Sequence, residues 1–302
     1  MSRVKNMTKG SPLTLILVFA LPLIVANIGQ QFYMIVDAMI VGQGVGVEAL
    51  ASVGAADWSY WLALWSISAL TQGFAIPVSQ YFGENDYGSV REAVASSIWL
   101  CAGAAAIMTA VGLLFGPELL KLLDTPDNIL QGATEYLLTM YAGLAIVTAY
   151  NMASALLRAF GDGKTPLIAI IIAAVMNIGL DMLFVFVLGW GIIGAAAATL
   201  LAQLFAFLYC LRVLGQIQWL RQKPKEERQN KKTARLQCRL GIPLALQQML
   251  VAVGGMILQS AINQQGFLLI AGFTATNKIY GLLESSAISL GYAMTTYTAQ
   301  NF

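Results

Sequence analysis

Two polar side chains one helical turn apart, Asn177 and Asp181, interrupt an otherwise apolar run from Leu167 to Leu188. A carboxylate at bilayer depth costs about 2.5 to 3.5 kcal/mol on insertion scales, so a chain that keeps one there turns it inward. Such a group serves an ion, a proton or a substrate. The spacing of four puts both side chains on one helix face, where an amide oxygen and a carboxylate together suit a cation or a shared proton.

The elements around that pair follow from composition. The chain has 302 residues, 58% hydrophobic and 11% charged. Soluble domains carry roughly 25% charged residues, so this is an all-α polytopic membrane protein. There is no histidine, which removes the commonest metal ligand and the usual switch near neutral pH. Cys101, Cys210 and Cys238 are scattered without metal-ligand spacing; the first two read as small apolar packing, and no disulfide framework is suggested. No nucleotide loop, no nucleophile with a base and no metal cluster is present. The chain is therefore expected not to be an enzyme and to use no cofactor beyond a coupling ion. Arg3, Lys5 and Lys9 precede the first apolar run, which continues to Val41, past signal-peptide length, and reads as a retained helix.

Long apolar stretches predict eight spans at roughly 13–41, 50–78, 93–116, 131–156, 166–188, 191–214, 240–263 and 267–296. Most connections are short. Residues 215–239 differ, with Arg221, Lys223, Lys225, Arg228, Lys231 and Lys232 among them, and read as a basic cytoplasmic linker. It divides a six-helix N-terminal lobe, 1–214, from two further helices, 240–302. With the N-terminus in the cytoplasm, fifteen of the seventeen basic residues fall inside. The positive-inside rule therefore fixes that orientation in the plasma membrane. The basic run is a topology signal first and an anionic-lipid contact second; nucleic acid is not an expected partner.

The two sides of the linker resemble each other at a shift of about 220 residues. Ala20-Leu-Pro22 answers to Gly241-Ile-Pro243, Gly46–Val53 to Gly266–Phe273, and Ser79–Phe82 to Ala299–Phe302. Repeated halves are the hallmark of secondary transporters. The first repeat has six helices and the second stops after two, so the expectation is a design of twelve helices with about four C-terminal ones missing.

The segments Ala20–Pro22, Val36–Gly42, Ser154–Pro166, Asn177–Asp181, Gly191–Thr199 and Ala299–Asn301, in this order and spacing, resemble the multidrug and toxic compound extrusion (MATE) family of secondary transporters. The resemblance implies two six-helix lobes in a V, exporting organic cations or other amphipathic compounds in exchange for H⁺ or Na⁺. It also implies a cation site in the N-terminal lobe, carried over onto Asp37, Asn177, Asp181 and Thr199. Helix geometry is compatible with that site. Asp181 lies about 24 Å along the fifth span from the inside and Thr199 about 12 Å along the sixth from the outside. Both then meet Asp37, late in the first span, in the outer half of the membrane. Two carboxylates with amide and hydroxyl oxygens suit a hard cation such as Na⁺, and close carboxylates also share a proton. Pro22 would be the bending point of the first helix.

Gln30, Gln31, Tyr136 and Asn151 are further candidates for polar contacts in the same cavity, with interhelical hydrogen bonding as the competing role. Lys278 and Glu284 in the eighth span are expensive charges that line a second-lobe cavity or pair with the missing helices. Trp58, Tyr60, Trp61 and Trp65 offer either stacking surfaces for a flat cation or an interfacial aromatic belt. Arg158–Pro166 and Gly83–Glu92 read as structural connectors, the latter with a capped helix start. Two alternatives stand beside the exporter: a lipid-linked precursor flippase, which tends to have a more basic cavity, and a truncated fragment that binds a cation without transporting.

Overall fold

The computed structural model describes residues 7–8, 10–123, 125–220, 231–263 and 267–301. The described elements are helical throughout: α1 Pro12–Gly44, α2 Val47–Gly83, α3 Tyr87–Leu122, α4 Asp127–Ala142, α5 Leu144–Ala159, α6 Lys164–Asp181, α7 Gly191–Leu214, α8 Lys231–Asn263 and α9 Phe267–Asn301. A six-residue π-helical segment, Met182–Val187, continues α6, and a 3₁₀ turn, Gln218–Leu220, follows α7. Among the described residues six helices are long and apolar enough to cross a membrane, and seven if α4 and α5 count as one span. The ninth helix, 35 residues long, occupies the place of the eighth expected span.

Local chemistry sets the helix starts. Pro12 opens the first turn of α1, where its missing N–H costs nothing. The Asp86 side chain accepts from the Gly88 and Ser89 amides, both at 3.1 Å, and from the Ser89 hydroxyl at 2.6 Å, giving α3 the capped start expected of this connector. Asp162 does the same for α6 through the Lys164 and Thr165 amides at 3.0 Å. Between α6 and α7, Gly189 and Gly191 at φ of 66° and 58° close a turn that β-carbon-bearing residues resist.

Two boundaries differ from the sequence expectation. The span read as one helix over 131–156 is two helices, bent by 50° at Gly143. A β-carbon at Gly143 would collide with the Leu200 side chain, so the break lets the chain press against α7. The segment read as linker is already helical from Lys231. Gln237 explains why these turns are ordered: it is fully buried, and its amide nitrogen lies 3.0 Å from the Phe74 and Ala93 carbonyls and 2.7 Å from the Ser97 hydroxyl.

The second helix is the hub, touching α3, α4, α5 and α9 and packing most extensively on α8. It crosses α8 where Gly73 faces Gly241, so close that a β-carbon on Gly73 would strike the Gly241 backbone. A shift of 220 residues lays α1 over α8 and α2 over α9 to within two residues at every end. Exchanging the pairs in this way also turns the α2–α8 contact into the α9–α1 contact, and both are among the larger ones. One apolar core, including Phe74, Phe82, Leu157 and Phe160, joins α2, α3, α5 and α7; another, including Ile67, Leu137, Met140 and Leu144, joins α2, α4 and α5.

Candidate functional site

Asp181 is the last residue of α6, and the π-helical segment begins at the next position. Such segments widen the hydrogen-bond ladder by one residue, visible here in the Leu188 amide bonding the Leu183 carbonyl at 2.9 Å. Phe184 stacks on Trp190 with ring centroids 4.9 Å apart, and the Trp190 amide bonds the Phe184 carbonyl at 2.9 Å. This folds α7 back along α6. On the other side, Val41 of α1 packs in a small apolar cluster with Val185 and Ala195. Val41 lies one turn after Asp37, so the same cluster that closes the α6–α7 hairpin also docks Asp37 against it.

The structure brings the four residues together. The Asn177 amide nitrogen donates to the Thr199 hydroxyl at 3.3 Å. Asn177 and Asp181 occupy successive turns of α6. The Asp37 and Asp181 carboxyl groups lie within hydrogen-bonding reach of each other. Asp181 and Asn177 are buried, at 0% and 1% exposure. Four oxygens at this junction, both of Asp181, Oδ1 of Asn177 and Oδ1 of Asp37, are buried without a protein donor. Buried acceptors are normally satisfied, so a cluster of them asks for a positive partner. A proton shared between the carboxyls or a hard cation among the oxygens supplies it. Among the described residues no group of three or more His, Cys, Asp or Glu has metal-site geometry, so the donor set is two carboxylates completed by amide and hydroxyl oxygens.

The other expected residues fare differently. Gln30 and Gln31 are half-buried on α1, below Asp37. Tyr136 belongs to the core between α2 and α4. Asn151 gives its amide hydrogen to the Val147 carbonyl of its own helix at 2.9 Å. Glu284 is exposed on α9, and the Lys278 side chain lies outside the described residues. The aromatic run is not a uniform interfacial belt. Tyr60 is buried and packs edge-on against Tyr141, while Trp58, Trp61 and Trp65 form a ring ladder at 5.4 and 6.0 Å along α2.

Two residues carry more than sequence reasoning gave them. Asp57 on α2 lies within electrostatic range of Asp37. It is a further acid inside an apolar span, the same signal that marks Asp181, hidden by the aromatic residues that follow it. Arg158, read as part of a connector, is buried where α5, α2 and α9 meet. Its Nη1 donates to the Ser154 hydroxyl at 2.6 Å and its Nη2 to the Gln72 side-chain oxygen at 3.3 Å, and its guanidinium stands 4.7 Å over the Tyr292 ring. Nearby, Gln300 donates to the Ala159 carbonyl at 2.7 Å and accepts from the Met7 amide at 2.8 Å. The α9 end is thus stitched to the ends of α1 and α5 on the side of the membrane that carries Met7.

A family model described as MatE matches residues 22–183, more than half of the chain. The chain belongs to the MatE family. The matched region contains Asp37, Asn177 and Asp181, with Thr199 sixteen residues beyond it. Relatives include the probable multidrug resistance protein YpnP of Bacillus subtilis, 30% identical over 98% of this chain, and the probable multidrug resistance protein YoeA of the same organism, 26% identical over 94%. The chain spans 66% and 63% of the lengths of these two relatives. A solved structure titled as MATE in the bent conformation superposes with a TM-score of 0.89 at 24% identity, over 99% of this chain and 67% of that one. At that identity the likeness is one of fold.

Proposed function

We propose that this MatE chain carries the ion-coupling half of an antiporter that exports drugs or organic cations across the plasma membrane, with H⁺ or Na⁺ as the coupling ion. The observation that carries the reading is the knot of buried, donor-less oxygens on Asp37, Asn177 and Asp181, tied to Thr199. An entering cation or proton is held by Asp37 and Asp181, with Asn177 and Thr199 completing the oxygen set. Because Asp37 sits on α1 and the other three on α6 and α7, filling the site draws α1 toward the hairpin. Loss of the ion leaves two facing negative charges without an offsetting partner, and their repulsion pushes α1 away from the hairpin. Ion occupancy and helix position are coupled by that repulsion, and release of a cationic substrate outward follows the filled state.

Orientation with the N-terminus in the cytoplasm places the Arg158–Tyr292 and Gln300 contacts on the cytoplasmic side. There they hold the inner side closed while the ion site lies toward the outer half. The experiment is cation-driven dye efflux in vesicles holding the chain, comparing the native sequence with Asp181→Asn. Loss of the dependence on the imposed H⁺ or Na⁺ gradient is expected. Unaltered gradient dependence in that variant would overturn the assignment.

A further inference from the structure

The ion site leaves the opposite flank of α5 unaccounted for. A lateral groove with a volume of about 690 Å³ runs between α3, α5 and α7. Its lining includes small side chains, Ala102, Ala105 and Ala106 on α3 and Ala145 and Ala149 on α5, which leave room that larger residues would fill. Val94 and Thr109 mark its ends on α3, a length of about 22 Å at 1.5 Å per residue. That exceeds one leaflet of a hydrocarbon core about 30 Å thick.

The lining rejects a polar occupant. Its two hydroxyls are engaged by backbone carbonyls, Thr109 with Tyr141 at 3.2 Å and Thr148 with Leu144 at 2.8 Å. No carboxylate lines it, so an organic cation finds no counter-charge there. An unbranched hydrocarbon needs none, and gains packing contacts with the lining when it leaves bulk lipid.

Charge marks one end. The groove finishes at Leu214, Gly215 and Leu220. Beside Leu220, the Trp219 carbonyl accepts from Nη1 of Arg91 at 3.2 Å, which fixes that guanidinium at the mouth. Arg212, in the last turn of α7 and three residues before the lining residue Gly215, is exposed at the same end. Neither arginine forms a salt bridge among the described residues. Asp86, the carboxylate in electrostatic range of Arg91, is held by its bonds to Gly88 and Ser89. Two guanidiniums at the end of an apolar trough of acyl-chain length match a phosphate attached to a hydrocarbon tail. We propose that this groove seats one acyl chain of an anionic phospholipid, with Arg91 and Arg212 holding its phosphate.

The site is separate from the ion-coupling residues and is tested without transport. The purified chain in neutral detergent is offered equal amounts of dioleoyl phosphatidylglycerol and dioleoyl phosphatidylcholine, and retained lipid is read by native mass spectrometry. Expected is a preference of about tenfold for phosphatidylglycerol, since both lipids offer the phosphate but the choline cation of phosphatidylcholine is repelled by the two guanidiniums. The double variant Arg91→Gln and Arg212→Gln should retain both lipids equally. Ala106→Phe, at an exposed position of the groove wall, should retain neither while keeping its melting temperature. Equal retention of the two lipids by the native chain, or undiminished retention by Ala106→Phe, would overturn the proposal. So would a dimer mass that Ala106→Phe abolishes, which marks a face for a second copy, or displacement of lipid by tetraphenylphosphonium, which marks a drug groove.

Discussion

Asp181 and Asp86 show the same side chain put to opposite uses. Asp86 faces water and satisfies backbone donors at the start of α3; Asp181 is enclosed and has no donor at all. The Ser89 hydroxyl and the Ser89 and Gly88 amides hold the Asp86 carboxyl below its ordinary value of 3.8. Because the folded state favours its charged form, the stabilisation is complete above that value and fades as pH falls through the lower folded one. Asp86→Ala should therefore cost about 1 kcal/mol at neutral pH, read as a lower melting temperature in detergent, with the gap to the native chain closing in strong acid. At the proposed ion site, one charged contact would contribute about 1.5 to 3 kcal/mol, so Asp181→Asn should weaken apparent cation affinity tenfold or more. Asp57→Asn should change it by a smaller factor through the field at Asp37, measured as the cation concentration giving half-maximal efflux. Asn177 and Asp181 were legible in the sequence because a carboxylate stands out against twenty apolar neighbours. Asp57 was not, because Trp58, Tyr60 and Trp61 drew the reading of that stretch toward packing.

Among the elements, the long helices were legible from apolar runs and the matching of α1 with α8 and α2 with α9 from a 220-residue repeat. Their breaks were not. Gly143 bends the α4–α5 span without a proline, because Leu200, distant in sequence, fills the space beside it. The π-helical segment after Asp181 has no residue signature; it arises where Phe184 and Trp190 stack to close the α6–α7 turn. The start of α8 was placed too late because Lys231, Lys232 and Arg235 look like linker, while Gln237, the residue that orders them, is recognisable only from its partners on α2 and α3. The crossing of α2 and α8 gives a prediction at this scale. Gly73→Leu places a side chain where Gly241 backbone already lies, and overpacking costs about 1 to 3 kcal/mol. A melting temperature in detergent lower than that of Gly54→Leu, at a position open on the same helix, checks it.

For the whole molecule, the closure on the Met7 side depends on partners far apart in the chain. Arg158 and Tyr292 are 134 positions apart, and Gln300 meets Met7 across nearly the full sequence. No local pattern announces such pairs, which is why Arg158 read as a connector residue. A desolvated cation–π contact contributes about 2 kcal/mol, so Tyr292→Leu should raise the population open on that side by about tenfold or more. Maleimide labelling of Thr296→Cys, a buried α9 position whose carbonyl accepts from the Ser79 hydroxyl, measures the change. Labelling rates equal with and without Tyr292→Leu would show that the ring does not hold that side shut.

The place where Gly73 lies against Gly241 has mechanical meaning as well as steric meaning. Beside it the Phe74 ring lies against Gly241 and the Gln237 side chain bonds the Phe74 carbonyl, so the crossing pins α2 at one point along its length. From Gly73 to Val47 the rigid arm is about 39 Å long, and a tilt of about 10° sweeps its far tip through roughly 7 Å. The smallest residues in the chain thus set the point from which its hub helix would swing.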